Sequence, residues 1–149
     1  MELTYTQASA ADAEAIFALC KKLIDDYEDP ALIDYEKVLA WVRRKIDTCI
    51  AEYTCVFLEG EKVAYYRFHP EDGMMEMDDL YVLPGFRGRG IGTAILKKCL
   101  RDTDLPVMLF VFTRNTGAFR LYERMGFAVT KHYGHTRCAM VRQPDREVL

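Results

Sequence analysis

The chain has 149 residues, of which 50% are hydrophobic, so it is long enough to enclose one core and too short to suggest a second domain. Its 20 basic and 23 acidic residues give a formal net charge of -3, without the positive excess of a general nucleic-acid binder. No stretch approaches the roughly 18 uninterrupted apolar residues of a membrane-spanning helix, and the amino terminus lacks a basic segment followed by an apolar run. We therefore expect a single domain over residues 1–149, with no nucleic-acid or membrane partner.

The cysteines and histidines give no sign of a disulfide framework or a metal centre. The cysteines are Cys20, Cys49, Cys55, Cys99 and Cys138. Their number is odd and no C-x-x-C pair occurs, so we expect small buried thiols in a reducing cytoplasm. His69 precedes Pro70 at a strand end, while His132 and His135 lie in the last predicted hairpin, and none has a metal-ligand companion at suitable spacing. The sequence therefore predicts a cytoplasmic protein without a metal.

The first half of the chain is predicted to form a strand, two amphipathic helices and a β-hairpin. Leu3 to Ala8 alternates apolar and polar residues, which is typical of a strand. One helix follows this strand and a second follows Pro30. Ile50 to Leu58 and Lys62 to Phe68 flank a short Gly-containing turn in the pattern of a hairpin. The apolar residues at helical spacing are Ala15, Ile16, Leu19 and Leu23, and then Val38, Trp41, Val42 and Ile46.

The second half predicts two strands that are each followed by a helix, and then two closing strands. Met74 to Val82 is the strand before the first of these helices, which spans Ile91 to Arg101. Pro106 to Phe112 is strongly apolar and is expected near the centre of the sheet. The next helix begins after Asn115, which can act as its N-cap, and ends at Gly126. The closing strands are Phe127 to Tyr133 and Thr136 to Arg142.

The most informative segment is a glycine-rich turn between a predicted strand and a predicted helix. Gly88, Gly90 and Gly92 lack a Cβ, so the backbone can adopt unusual φ values and bring its N–H groups close to an anion. The following helix directs its unpaired amides and the positive end of its dipole to the same place. Arg87 and Arg89 add charged donors for phosphate oxygens. The segment therefore predicts a ligand that carries a diphosphate.

Other glycine-rich motifs fit this segment less well. A P-loop requires Lys and then Ser or Thr after its last glycine, but Gly90 is followed by Ile91 and Gly92. A Rossmann fingerprint requires G-x-G-x-x-G, whereas the glycines here run G-x-G-x-G. A plain turn would need positive φ and nothing more. The two arginines interleaved with the glycines have no packing purpose, which favours a ligand over that interpretation.

Two blocks of the sequence resemble the GNAT family of N-acetyltransferases. Arg87-Gly88-Arg89-Gly90-Ile91-Gly92 resembles the family's acetyl-coenzyme A motif, and Asn115 to Phe127 resembles its second signature at the expected distance downstream. The blocks cover about a third of the chain, and the order of predicted elements fits nearly all of it. The resemblance implies an α/β (α+β) fold: a mixed, mostly antiparallel central sheet of about seven strands flanked by about four helices, with splayed strands forming the acetyl-coenzyme A wedge.

The resemblance also implies how acetyl-coenzyme A, the expected cosubstrate, would bind. Backbone groups of Tyr81 and Val82 would bond its pantetheine arm in the manner of an added strand. An amide of Leu80 or a neighbour would polarise the thioester carbonyl. Asn115 would contact the cofactor from the second helix, although a simple N-cap role explains this residue equally well, and both roles can coexist. The residues expected around the pyrophosphate are Arg87, Gly88, Arg89, Gly90, Ile91, Gly92 and Thr93.

Catalysis on a thioester needs a base for the attacking amine and an acid for the departing thiolate. The resemblance assigns the acid to Tyr122, whereas the helix pattern alone would favour a core aromatic there. The candidate bases are Glu76, Asp78 and Asp79, and strand alternation predicts that Glu76 and Asp78 share one face while Asp79 takes the other. Relatives often carry a carboxylate near the position of Glu76, usually acting through water, so Glu76 ranks first. An ordinary solvated strand face is the alternative for any one of these carboxylates.

An acidic segment between the first two helices lies in the region that commonly lines the acceptor side in relatives. It is expected either to attract a cationic amine or to form an ordinary solvated loop. The residues of this segment are Asp25, Asp26, Glu28 and Asp29, with Tyr27 and Tyr35.

The expected function is acetyl transfer from acetyl-coenzyme A to a primary amine of a small molecule or peptide, by direct attack in a ternary complex. Two alternatives are kept: a non-catalytic acyl-coenzyme A sensor or interaction module, and a nucleotide or phosphate binder that uses the same loop. The acceptor, the acyl length and the identity of the base are left open by the sequence. A homodimer is plausible because terminal strands often pair between relatives.

Overall fold

The computed structural model describes residues 1–144, which form a seven-stranded sheet and four α-helices. The helices are α1 (Ala13–Tyr27), α2 (Tyr35–Cys49), α3 (Ile91–Arg101) and α4 (Thr116–Arg124). The strands are β1 (Leu3–Gln7), β2 (Tyr53–Leu58), β3 (Glu61–Glu71), β4 (Met74–Val82), β5 (Val107–Phe112), β6 (Ala128–Tyr133) and β7 (Arg137–Arg142). No helix of the described part is long and apolar enough to cross a membrane.

The sheet has the order β1-β2-β3-β4-β5-β7-β6, and all neighbouring strands are antiparallel except β4 and β5. The parallel pairing between β4 and β5 joins Met75 to Val107 and Glu76 to Met108. Both strands continue beyond these two pairs but do not pair with each other again within the described residues, so they diverge and leave a wedge. The expected mixed, mostly antiparallel sheet with splayed strands is therefore confirmed.

Helices cover the sheet on both faces, because the strands alternate their apolar side chains between two buried clusters. One cluster joins α3 and α4 to the sheet through residues such as Ile95, Leu96 and Leu109. The other joins α1 and α2 to it through residues such as Ile16 and Ile46. The wedge between β4 and β5 therefore lies between two helical layers.

Two predicted strand boundaries differ from the structure by three residues, and the others agree to within one. Residues Ile50–Glu52 form a 3-10 turn, so β2 begins at Tyr53. Strand β3 continues to Glu71 instead of ending at Phe68, because its pairing with β4 extends until Glu71 lies opposite Met74. This extension brings His69 into the sheet, where it lies opposite Glu76.

Candidate active site

The glycine-rich turn, which leads into the amino-terminal end of α3, has the backbone conformation that an anion site requires. Gly88 and Gly90 have φ values of 76° and 80°, in the left-handed region that favours glycine. Gly90 is the N-cap residue of α3, and no described side chain caps that helix, whereas Asp34 and Asn115 cap α2 and α4. The first amides of α3 therefore remain available to an anion.

Gly92 serves a different purpose from the one expected for it. A Cβ at this position would lie 3.2 Å from Leu121 Cδ2 and 3.8 Å from Val82 Cγ2, and its φ is not in the left-handed region. The prediction of an unusual φ at Gly92 is wrong. The residue is small because α3 packs closely against α4 and the end of β4 at this point.

The two arginines of the turn are exposed and directly precede α3 in the chain. Arg87 Nε donates a hydrogen bond to the Val82 carbonyl at 3.1 Å, and the Arg89 guanidinium lies 5.4 Å from the centre of the Phe86 ring. Exposed cations in the turn that leads to uncapped helix amides fit a diphosphate. Thr93 is half-buried in the first turn of α3.

The wedge opens into a cavity of about 1020 Å³. Its walls come from α1, α2, β3, β4, β5 and α4, so it reaches the helical layers on both sides of the sheet. Leu80, Tyr81 and Asn115 line it, whereas residues 85–93 do not. The candidate anion site is therefore a surface feature next to the cavity and not part of it.

Helix α4 contributes Tyr122 and its N-cap residue Asn115 to the wall of this cavity. Asn115 Oδ1 accepts a hydrogen bond from the Ala118 amide at 3.4 Å, which confirms the N-cap role and leaves cofactor contact as a prediction. Tyr122 is 7% exposed and packs edge-on against Phe127, so it is also a core aromatic. Its hydroxyl has no hydrogen bond to the described residues, and no buried polar side-chain atom there lacks a partner, so this hydroxyl meets the cavity. Burial, and then the charge of Asp79, raise the pKa of Tyr122.

The candidate bases Glu76 and Asp78 lie side by side on the cavity face of β4. The register of β3 and β4 places Arg67 opposite Asp78 and His69 opposite Glu76, which gives two cross-strand acid–base pairs. Asp78 Oδ2 accepts hydrogen bonds from Arg67 Nη1 at 3.0 Å and from Lys45 Nζ at 3.2 Å. Glu76 Oε1 lies 2.9 Å from His69 Nε2.

Asp79 does not face away from Asp78, because β4 carries a bulge at this point. Two steps along β3, from Tyr65 to Arg67, correspond to three steps along β4, and Asp79 has a φ of 54°. Asp79 Oδ2 lies 2.8 Å from Lys45 Nζ, the same ammonium that contacts Asp78. The prediction of opposite faces is therefore wrong, since the extra residue turns both carboxylates towards α2.

Asp78 and Asp79 share one buried ammonium, and their pKa values move apart as a result. Burial and the charge of Asp79 raise the pKa of Asp78 to about 6. Burial alone would also raise the pKa of Asp79, but Lys45 and the hydroxyl hydrogen bonds from Tyr53 and Tyr81 lower it instead. The first proton taken up by the pair therefore goes to Asp78.

The acidic segment between α1 and α2 is largely occupied by its own neighbours. Asp25 pairs with Lys21 at 2.8 Å and accepts a hydrogen bond from Tyr35 at 2.6 Å, while Asp26 pairs with Lys22 at 3.0 Å. Neither of these aspartates lines the cavity. The expectation that Asp25 and Asp26 attract an acceptor amine is therefore not supported, because helical i,i+4 pairs already use them. The other members of the segment are Glu28, which lines the cavity and accepts a hydrogen bond from Thr136, and Asp29, which accepts one from Ala31.

Within residues 1–144, one group of side chains has ligand atoms close enough together to surround a cation. These are His69, Glu71 and Glu76, whose ligand atoms lie within 4.8 Å of one another. The sequence missed this group because the strand pairing, and not the spacing along the chain, brings its members together. Each ring nitrogen of His69 already has a partner, Nδ1 at the Pro70 carbonyl and Nε2 at Glu76.

Three cavity residues that sequence reasoning missed are Lys45, Arg67 and His69. Arg67 and His69 were accessible in principle, since a hairpin register between residues 61–71 and 74–82 sets them opposite Asp78 and Glu76. Lys45 had no such signal, because it reaches the carboxylates from a helix that is 33 residues distant in the chain.

The sequence profile described as the acetyltransferase (GNAT) family matches residues 16–127. Since this match spans most of the chain, the protein belongs to the GNAT acetyltransferase family. Two solved structures with the same fold are the PaiA N-acetyltransferase of Thermoplasma acidophilum in complex with coenzyme A and the putative acetyltransferase YncA of Salmonella typhimurium with acetyl-CoA. The first has a TM-score of 0.70 and 18% identity and covers 96% of this chain and 99% of its own. The second has a TM-score of 0.63 and 19% identity, with 100% and 98% covered.

Two curated relatives match shorter segments. An uncharacterized N-acetyltransferase of Methanocaldococcus jannaschii is 41% identical over 56 residues, which is 35% of this chain and 25% of that protein. The mycothiol acetyltransferase of Streptomyces avermitilis is 37% identical over 76 residues, which is 47% of this chain and 25% of that protein. The matched segments thus span a quarter of the length of these curated relatives.

Proposed function

We propose that this protein transfers an acetyl group from acetyl-coenzyme A to a primary amine of a small molecule or peptide, by direct attack in a ternary complex. The observation that carries the proposal is the cavity in the wedge of the sheet. Tyr122 from α4 and the carboxylates Glu76 and Asp78 from β4 line the same cavity. An acid and a base that meet at one opening are what aminolysis of a thioester requires.

Acetyl-coenzyme A would supply a thioester carbonyl and a thiol leaving group. Its diphosphate would bind the exposed residues Arg87, Gly88, Arg89 and Gly90 and the amides of Ile91 and Gly92 at the start of α3, with Thr93 next to them. This is supported by the left-handed Gly88 and Gly90, the uncapped start of α3 and the two arginines. Its pantetheine arm would run along Tyr81 and Val82, because this end of β4 is not paired with β5 among the described residues. The PaiA and YncA structures, which contain coenzyme A and acetyl-CoA, agree with this choice of cosubstrate.

The chain's own residues would then move the protons. Glu76 would accept a proton from the incoming ammonium, directly or through a water molecule, and Asp78 is the second candidate because its pKa is raised to about 6. The amide of Leu80, at the bulge, would donate to the thioester oxygen. Tyr122 would donate its hydroxyl proton to the departing sulfur, and the lack of a hydrogen bond from that hydroxyl to the described residues keeps it free for this role.

The acceptor is proposed to be an amine of cationic character, with no nucleic acid, membrane or metal involved. Carboxylates outnumber lysines and arginines in the cavity wall, and they include Glu28, Asp34, Glu71 and Asp72. A cytoplasmic location is supported by five cysteines that are all free. We treat residues 1–149 as one domain, and we propose a homodimer because every residue of β6, an edge strand of the sheet, is exposed.

The test is an assay of thiol release from acetyl-coenzyme A over a panel of polyamines, amino acids, aminoglycosides and peptides with free amino termini. We expect release that depends on one class of amine, together with the acetylated product by mass spectrometry. Calorimetric titration with coenzyme A and with ATP provides the control, and coenzyme A should bind more tightly. Tight binding of coenzyme A without release on any amine would refute catalysis, and tighter binding of ATP would refute the cosubstrate.

A further inference from the structure

His69 is a buried imidazole in the cavity wall, with a hydrogen-bond partner at each ring nitrogen. It is 6% exposed and lies opposite Glu76 in the antiparallel pairing of β3 and β4. Nδ1 lies 3.0 Å from the Pro70 carbonyl oxygen, and Nε2 lies 2.9 Å from Glu76 Oε1. Such a ring can rotate only by giving up both contacts.

The chemistry of these partners fixes where the protons are. A carbonyl oxygen only accepts, so Nδ1 must carry a proton and donate it to Pro70. A neutral ring would then have a bare Nε2, which cannot hydrogen-bond to an ionised carboxylate because both groups are acceptors. The 2.9 Å contact therefore requires a proton between His69 Nε2 and Glu76 Oε1, carried by one or the other.

The second oxygen of Glu76 is left for another partner. Oε2 has no hydrogen bond to the described residues, and no buried side-chain oxygen there is without a partner, so Oε2 reaches the cavity surface. The Glu76 side chain is 14% exposed, which agrees with one held oxygen and one accessible oxygen. Asp78 differs, because Lys45 and Arg67 both donate to its Oδ2 and hold it with permanently charged groups.

We propose that His69 is a positioning residue for Glu76: it holds Oε1 through a shared proton and thereby directs Oε2 towards the acceptor amine. This inference rests on the proposed acetyl transfer. The oriented carboxylate is then Glu76 and not Asp78. The partner of Glu76 is an imidazole, which can be neutral, whereas the partners of Asp78 are an ammonium and a guanidinium. The role of His69 is to limit the rotation of Glu76, since a small misplacement of a reacting group is costly in rate.

The first experiment measures the protons without relying on catalysis. Nitrogen-15 spectra of the histidine rings and carbon-13 spectra of the glutamate carboxyls are recorded for the wild type and for Glu76→Gln. We expect a proton on His69 Nε2 beside an ionised Glu76 in the wild type, and a shifted His69 ring signal in the variant. A proton on the Glu76 carboxyl instead would overturn the proposal, because a protonated carboxyl cannot accept a proton from the amine. A bare Nε2 beside an ionised Glu76 would overturn the proposal. Stoichiometric binding of Zn²⁺ by the His69 ring would also overturn it, in favour of a metal site with Glu71 and Glu76.

The second experiment separates positioning from a purely structural role. His69→Gln retains an N–H group that can donate to Oε1, whereas His69→Leu removes the donor. His132→Leu, on the exposed strand β6, is the matched control. We expect kcat to fall about 10-fold to 100-fold in His69→Leu and only a few-fold in His69→Gln, with the KM for acetyl-coenzyme A unchanged in both.

A double-mutant cycle with Glu76→Gln completes the test. If His69 acts through Glu76, then His69→Leu has no further effect on kcat once Glu76 is Gln. Equal loss in the Gln and Leu variants, or additive losses with Glu76→Gln, would overturn the positioning role. If no amine is acetylated at all, the proposed function fails, and the magnetic resonance experiment still decides whether the proton is shared.

Discussion

Replacement of Lys45 by Met tests the electrostatic arrangement at the bulge of β4. Lys45 Nζ lies 3.2 Å from Asp78 and 2.8 Å from Asp79, and the side chains of the three residues are between 11% and 20% exposed. Met has a similar length and no charge, so the variant leaves two carboxylates with one buried cation fewer. Removing one partner of a buried ion pair costs about 3–5 kcal/mol. For a chain of this size, that loss lowers Tm by about 6–20 °C.

The stability lost in Lys45→Met increases with pH. Without Lys45 the pKa values of both carboxylates rise in the folded state: that of Asp78 moves further above the unfolded value of about 4, and that of Asp79 loses the main cause that lowers it. A raised carboxyl pKa gives stability that is complete below the unfolded pKa and is lost as pH rises through the folded pKa. The deficit of Lys45→Met relative to the wild type is therefore smallest near about pH 5 and largest near about pH 8.

The assay is thermal unfolding by circular dichroism at several pH values. Lys22→Met is the matched control, because Lys22 pairs with Asp26 on the surface, where the two side chains are 63% and 44% exposed. Such a surface pair contributes about 0–1 kcal/mol, so the control should remain close to the wild type. A Lys45→Met protein that melts with the control at about pH 8, or whose deficit does not shrink towards about pH 5, would refute the shared-ammonium argument.

Three further predictions concern the acid, the anion site and the second candidate base. Tyr122→Phe should lower kcat about 10²-fold to 10⁴-fold, because the variant lacks the proposed acid. Its Tm should change little, because the Tyr122 hydroxyl has no hydrogen bond to the described residues. Equal activity of this variant and the control Tyr133→Phe would remove Tyr122 from catalysis. Gly90→Ala and Gly60→Ala should each lower the free energy of unfolding, measured in urea, by about 1–2 kcal/mol, because both glycines have a left-handed φ, 80° and 79°. Only Gly90→Ala should also weaken coenzyme A binding in calorimetry. Since the pKa of Asp78 is raised to about 6, Asp78→Asn should gain stability relative to the wild type as pH rises through that value, and a constant difference in urea midpoints would contradict this.

Local patterns predicted those elements whose signals lie within the element itself. The predicted bounds Met74 to Val82 and Ile91 to Arg101 are those of β4 and α3 in the structure. Here the alternation, the preceding turn residues and the glycine-rich segment before the helix all indicated the same limits. The N-cap at Asn115 could also be predicted from local sequence, because the amide that its side chain bonds lies only three residues further along the chain.

Features that depend on a partner strand or helix were beyond such patterns. The bulge at Asp79 follows from how β4 pairs with β3, so strict alternation assigned this carboxylate to the wrong face. The contact of Lys45 with Asp78 and Asp79 follows from how α2 packs on the sheet. The i,i+4 pairing of Lys21 with Asp25 is different, because the spacing was present in the sequence and could have been used.

The short parallel pairing of β4 and β5 makes a seam in the sheet. In the described part of the chain, main-chain pairing joins the β1–β4 half to the β5–β7 half at two residue pairs, Met75 with Val107 and Glu76 with Met108. Amide exchange through local opening should therefore be fastest along this seam. A pantetheine-like ligand that bonds the unpaired edge of β4 would connect the two halves of the sheet. Binding of such a ligand should therefore slow amide hydrogen exchange in both β4 and β5.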